Sequence, residues 1–208
     1  MQGERYVSLM DFYLNSNAVR EFVLSLCKLS NQVFEISLNS SLVTDELSSL
    51  GNDFKSYAVY SEKMNLISNS LGNTAKNMLR LSTRIMELSL EKTTLNANIV
   101  KLKEGRDLVG NNNNNEVISM SIARIEETIR PLETDARDIM DVLDGELKSF
   151  ALEIKKLWLL STNLKTQVEY DEINFLATIS SKIEAALLKI DETMSQLGAQ
   201  LQKLENKI

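Results

Sequence analysis

The side chains of this chain most able to do chemistry are few, and their types narrow what that chemistry could be. There is one cysteine, Cys27, and no histidine. No thiol–imidazole or serine–imidazole pair can therefore form, no zinc set of the Cys/His kind exists, and no disulfide can close within the chain. Cys27 follows Leu26 on an apolar stripe, a setting for a buried structural thiol more than for a redox sensor. Glu146 and Glu153 on one apolar stripe and Lys92 on another have two readings: they pair inside a helical bundle and set its register, or they mark places where the stripe drifts toward solvent. Trp158 and Phe150 could line a ligand pocket, although aromatic residues at such positions more commonly pack a core. No pair of carboxylates comes with an identifiable substrate cleft. No catalytic, cofactor-binding or metal-binding residue is assigned, no cofactor is expected, and the chain is not read as an enzyme.

These residues must be carried on long helices. In 208 residues, 43% hydrophobic and 25% charged, there are seven Gly and one Pro, too few turn formers for a sandwich, a barrel or an alternating αβ fold. Apolar residues instead recur at spacings of three and four. The first run is Val19, Phe22, Leu26, Leu29, Val33 and Ile36, with Ser40 as a break, then Val43, Leu47 and Leu50. A second goes from Tyr60 through Met64, Leu71, Met78, Ile85 and Leu95 to Leu102, with Thr74 and Lys92 as its polar members. The third runs from Ile118 to Leu164 and contains Pro131, where a missing amide and a ring clash predict a kink or interruption. The fourth runs from Leu176 to Ile208. This periodicity predicts coiled-coil helices.

Three breaks separate the runs. Ser48 to Asp53 is a short turn, and Gly105 to Glu116, with its run Asn111 to Asn115, is a low-complexity segment predicted to be a mobile loop. Around Glu169, Tyr170, Asp171 and Glu172 the stripe loses phase. About 60 residues lie between successive breaks, so the central helices should be about 75 to 90 Å long. The predicted fold is all-α: an elongated antiparallel four-helix coiled-coil bundle over 1–208, with a first hairpin at 1–104, the Asn-rich loop at 105–116 and a second hairpin at 117–208. Separate hairpins that assemble with other chains are the alternative.

Charge and hydropathy limit the partners. The formal charge is −6, with lysine and arginine dispersed among the acids, so no basic stripe offers itself to nucleic acid. No window approaches the roughly 20 apolar residues of a membrane span, and Met1 to Arg5 lack the order of a signal peptide. A cytoplasmic protein without membrane insertion is expected, and a lone thiol agrees with that.

At the first break the chain reads QVFEISLNSSLVTDELSSLGNDFKSYAVYSEKMNLIS from Gln32 to Ser68. In ungapped register, Gln32, Leu38, Asn39, Gly51 and Phe54 fall on the Gln, Leu, Asn, Gly and Phe of the cytoplasmic signalling hairpin of methyl-accepting chemotaxis proteins. After a short shift, Tyr57, Ala58, Val59, Tyr60, Ser61 and Glu62 are similar to that family's Phe-Ala-Val-Val-Ala stretch, which begins the returning helix. The segment resembles the tip of a bacterial chemoreceptor. Val43 and Glu46 stand where the family carries Glu and Arg, charges that help receptor dimers associate. A fainter likeness runs through Trp158 to Asn163, Val168-Glu169 and Phe175 to Ile183, so that the chain reads as two receptor-like hairpins in tandem. The nearest approach to a receptor methylation site is Glu126-Glu127 after Ala123, but Arg130 and Pro131 stand where small residues belong, and a solvated face is the plainer reading.

The resemblance implies a divergent soluble signalling module in chemotaxis signal transduction. Its hairpin tip would dock a protein partner: the chemotaxis histidine kinase, its coupling protein or chemoreceptors. The residues implied in docking are Gln32, Leu38, Asn39, Gly51, Phe54, Tyr57, Ala58, Val59 and Glu62. Further oligomerisation is left open. The alternative is a structural coiled-coil spacer or tether that uses the same heptads without signalling.

Overall fold

The computed structural model describes residues 2–51, 54–109, 114–170 and 173–206. They form four helices, α1 (Gln2–Leu50), α2 (Lys55–Val109), α3 (Asn114–Tyr170) and α4 (Asn174–Glu205). No strand occurs among the described residues. The protein is an all-α helical bundle, and no described helix is long and apolar enough to cross a membrane.

Contacts group into two compact units, each drawing on all four helices. Unit 1 comprises Met1–Arg20, Arg80–Leu143 and Ala199–Ile208, and unit 2 comprises Glu21–Leu79 and Asp144–Gly198. These units cut across the two hairpins expected from the sequence. In unit 2 the helices run antiparallel in a circuit. Ser40 meets Ser61 between α1 and α2, Ser70 and Thr74 meet Glu153 between α2 and α3, and Lys165 meets Glu184 between α3 and α4. Unit 1 has the same neighbours, with Lys92 of α2 lying against Phe12 of α1 and Glu133 of α3. There Gln200 of α4 donates to Asn15 of α1 at 2.7 Å.

The interior explains why these sequences are helices that need one another. Fully buried Leu26, Met64, Leu71, Phe150, Leu157 and Ile183 fill unit 2, and Val19, Met140, Leu143 and Ile85 lie in the interior of unit 1. Each such side chain contributes about 1.5 to 3 kcal/mol relative to exposure. The stripe read from the sequence is displaced sideways in α1. Phe22, Leu29, Ile36 and Val43 are half-buried, whereas Val23, Ser30, Ser37 and Thr44 are buried. In α2 the same shift leaves Tyr60, Ile67, Thr74 and Leu81 half-buried and buries Ser61, Ser68, Ala75 and Ser82. Small side chains here let α1 and α2 approach closely. Serines in helices can satisfy themselves locally, and Ser30 and Ser68 do so by donating to the carbonyls of Leu26 and Met64, each at 2.7 Å. Ser40, taken from sequence as a break, is a core position instead.

The helix ends also differ from the sequence reading. α1 includes Ser48 and Ser49, and the turn is closed by the Phe54 amide donating to the Gly51 carbonyl at 3.4 Å; Asn52 and Asp53 lie outside the described residues. α2 runs past Gly105 to Val109 and α3 starts at Asn114, so helix replaces both flanks of the loop expected at 105–116. The remainder of that loop, 110–113, lies outside the described residues. α3 ends at Tyr170, where the stripe loses phase, and the Ile173 amide donates back to the Val168 carbonyl at 3.0 Å, a closure that satisfies an orphan carbonyl of the last turn. Asp171 and Glu172 lie outside the described residues. Pro131 does not interrupt α3. It is exposed, as is Glu127, whose carbonyl loses its intrahelical donor and is open to water.

Candidate interaction surface

Both described turns, Gly51–Phe54 and the one before Asn174, lie at the same end of unit 2, because α1 and α3 end there and α2 and α4 begin. At this end the side chains implied in docking separate into two groups. Tyr57 is 2% exposed and stands with its ring 6.2 Å from that of Phe54, tilted by 40°. It lies in the core, although the resemblance placed it among the docking residues. Phe54, Ala58 and Gly51 are half-buried. Leu38, Val59, Gln32, Asn39 and Glu62 are exposed.

Of the exposed set, Gln32 and Asn39 line two adjoining hollows. A hollow of about 290 Å³ is lined by Gln32, Glu35 and Ile36 of α1 and by Lys182, Ala185, Ala186 and Lys189 of α4. A second, of about 380 Å³, is lined by Ile36, Asn39, Leu42 and Val43 of α1 and by Phe175, Thr178, Ile179 and Lys182 of α4. Ile36 and Lys182 belong to both, so the hollows form one groove between the two helices. The half-buried Ile36 and Val43, displaced from the core by the serine seam, supply its floor. Phe175 and Leu42, 58% and 57% exposed, stand at its turn-bearing end. Val59 and Glu62 of α2 and Leu38 line neither hollow.

The charges of α4 are divided between its two sides. Toward α3, Glu184 accepts from Lys165 at 2.8 Å and Asp191 accepts from the Trp158 indole N–H at 3.0 Å. Toward α1, Lys182 and Lys189 border the groove, and neither is in an ion pair among the described residues. Trp158 is thus tied to α4 while Phe150 is fully buried, and neither lines the groove. Of the charged stripe residues Lys92, Glu146 and Glu153, two have partners, and Lys92 is paired with neither glutamate. Lys92 meets Glu133 at 2.8 Å, and Glu153 accepts hydrogen bonds from Ser70 and Thr74. Cys27 is half-buried, and its thiol donates to the Ala75 carbonyl at 3.2 Å. Burial pushes its pKa up, and nearby Lys76 offsets this in part.

Among the described residues no group of three or more Cys, Asp or Glu side chains could hold a metal ion. The arrangement is suited to binding an elongated apolar surface, with two ammonium groups at one rim. The α4 half of the groove could have been found in the sequence only at Phe175 and Ile179, within the fainter likeness. Lys182 and Lys189 carry no local signal. No protein-family model matches this chain, nor does any characterised protein or any solved structure.

Proposed function

We propose that this protein is a protein-docking module of the chemoreceptor signalling type, and that it engages its partner through the α1/α4 groove at the turn-bearing end of unit 2. The observation that carries this reading is the groove itself: apolar residues beside Lys182 and Lys189, which make no ion pair among the described residues. Exposed apolar surface rimmed by polar groups marks interaction sites. The likeness of Gln32–Ser68 to a receptor tip supports the choice of partner class, which is the chemotaxis coupling protein or histidine kinase, in the cytoplasm.

The test is calorimetric titration of the full chain against coupling protein and kinase. Wild type should bind. Asn39→Ala and Lys182→Glu should weaken binding with unchanged helicity, because exposed substitutions of this kind usually alter stability by within about ±0.5 kcal/mol. Glu62→Ala, outside the groove, should bind as wild type does. Absence of binding by wild type, or equal losses in all three variants, overturns the reading. The alternative of a spacer or tether draws on one observation, the burial of Tyr57, a residue of the receptor-like motif that lies in the core.

A further inference from the structure

One level of the unit 2 core is built of serine. Ser40, Ser61, Ser161 and Ser180, one from each helix, are fully buried. The hydroxyls of Ser40 and Ser61 share a hydrogen bond of 2.8 Å that joins α1 to α2, and the Ser161 hydroxyl donates to the Ser180 carbonyl at 3.3 Å, joining α3 to α4. The two pairs stand at the same height. Asn39 and Ile179, immediately before Ser40 and Ser180, line the same hollow, and the antiparallel register set by Glu153 against Ser70 and Thr74 carries Ser161 to the level of Ser61.

These hydroxyls behave unlike the buried serines that satisfy themselves. Ser30 and Ser68 turn back onto their own helices at 2.7 Å and ask nothing of a neighbour, whereas Ser40, Ser61 and Ser161 reach across to another helix. Two further hydroxyls, that of Ser180 within the level and that of Ser37 one turn away, are buried without a partner, which carries an uncompensated desolvation cost. On either side α2, α3 and α4 return to large side chains, Tyr57, Leu164 and Leu176 toward the turns and Met64, Leu157 and Ile183 away from them, while α1 keeps the small Thr44 and Ser37. Serines make few dispersion contacts, so the level is weakly cohesive between two cohesive ones.

We propose that this serine level is a relaxation plane: its interhelical hydrogen bonds hold the register of each helix pair, while its weak packing lets the turn-bearing end of unit 2 open as a local unit. The device needs no partner and is independent of the docking reading. Local opening is read directly by amide hydrogen exchange. In the wild-type full chain, peptides within 41–49, 55–60, 162–168 and 174–179 should exchange faster than peptides from 21–39 and 144–160, with a step at the serine level. Ser180→Ala removes a hydroxyl that makes no bond, and should slow exchange on the turn side by roughly three- to tenfold. Ser30→Ala with Ser68→Ala, which alters only self-satisfied serines, should leave the step in place. Uniform exchange across the level in wild type overturns the proposal, as does a turn-side rate unchanged by Ser180→Ala.

Discussion

Replacing Lys92 by Met removes a charge that unit 1 holds between three helices, and the structure sets the size of the effect. The ammonium lies 4.9 Å from the centre of the Phe12 ring of α1 and 2.8 Å from Glu133 Oε1 of α3. A cation over an aromatic face contributes about 0.5 to 2 kcal/mol, with more when desolvated. The Lys92 and Glu133 side chains are 14% and 30% exposed, so their pair belongs between the exposed class, worth about 0.2 to 1 kcal/mol, and the buried class, whose breakage costs about 3 to 5 kcal/mol. Methionine keeps the apolar stem packed, so the loss reports the charge and not a cavity. The expected destabilisation is about 1.5 to 3 kcal/mol. Urea unfolding followed by far-UV circular dichroism measures it. A cycle with Glu133→Gln isolates the pair, for which a coupling of about 1 kcal/mol is expected. A change below about 0.3 kcal/mol for Lys92→Met, or a coupling of zero, would refute the claim that this lysine ties α1, α2 and α3 together.

Three further outcomes follow from burial and backbone chemistry. Ile85→Ala, at a fully buried site of unit 1, should cost about 2 to 5 kcal/mol, while Leu66→Ala, 63% exposed, should stay within about 0.5 kcal/mol in the same denaturation assay. Pro131→Ala should stabilise the protein by roughly 1 to 3 kcal/mol in thermal or urea unfolding, because it returns the amide that α3 lacks at an exposed site. Cys27 should react slowly with a thiol-alkylating reagent at neutral pH and speed up only above the ordinary thiol range, since burial raises its pKa. The linkage has a definite sign: the neutral thiol favours the folded state fully below the unfolded-state pKa, and that contribution is lost as pH rises through the folded-state value. A thiolate-like rate at neutral pH would contradict the burial.

The spacing of apolar residues by three and four was enough to determine that the chain is helical, that its helices number four and that the first and third turns share an end. That periodicity is a local property, because only a helix brings residues so spaced onto one face. Local sequence did not decide which of two adjacent stripes points inward. Phe22, Leu29, Ile36 and Val43 are the more apolar choice, yet Ser30, Ser37 and Thr44 are buried, because burial depends on how closely the neighbouring helix approaches and small residues permit the closest approach. Tyr57 is buried as well, although its motif spoke of a surface. Partners were equally out of reach. Lys92 finds Glu133 and Glu153 finds Thr74, and Asn39 shares a groove with Lys182. A charge pair or a groove is a distance between helices, set by their register, and no spacing within one helix encodes it.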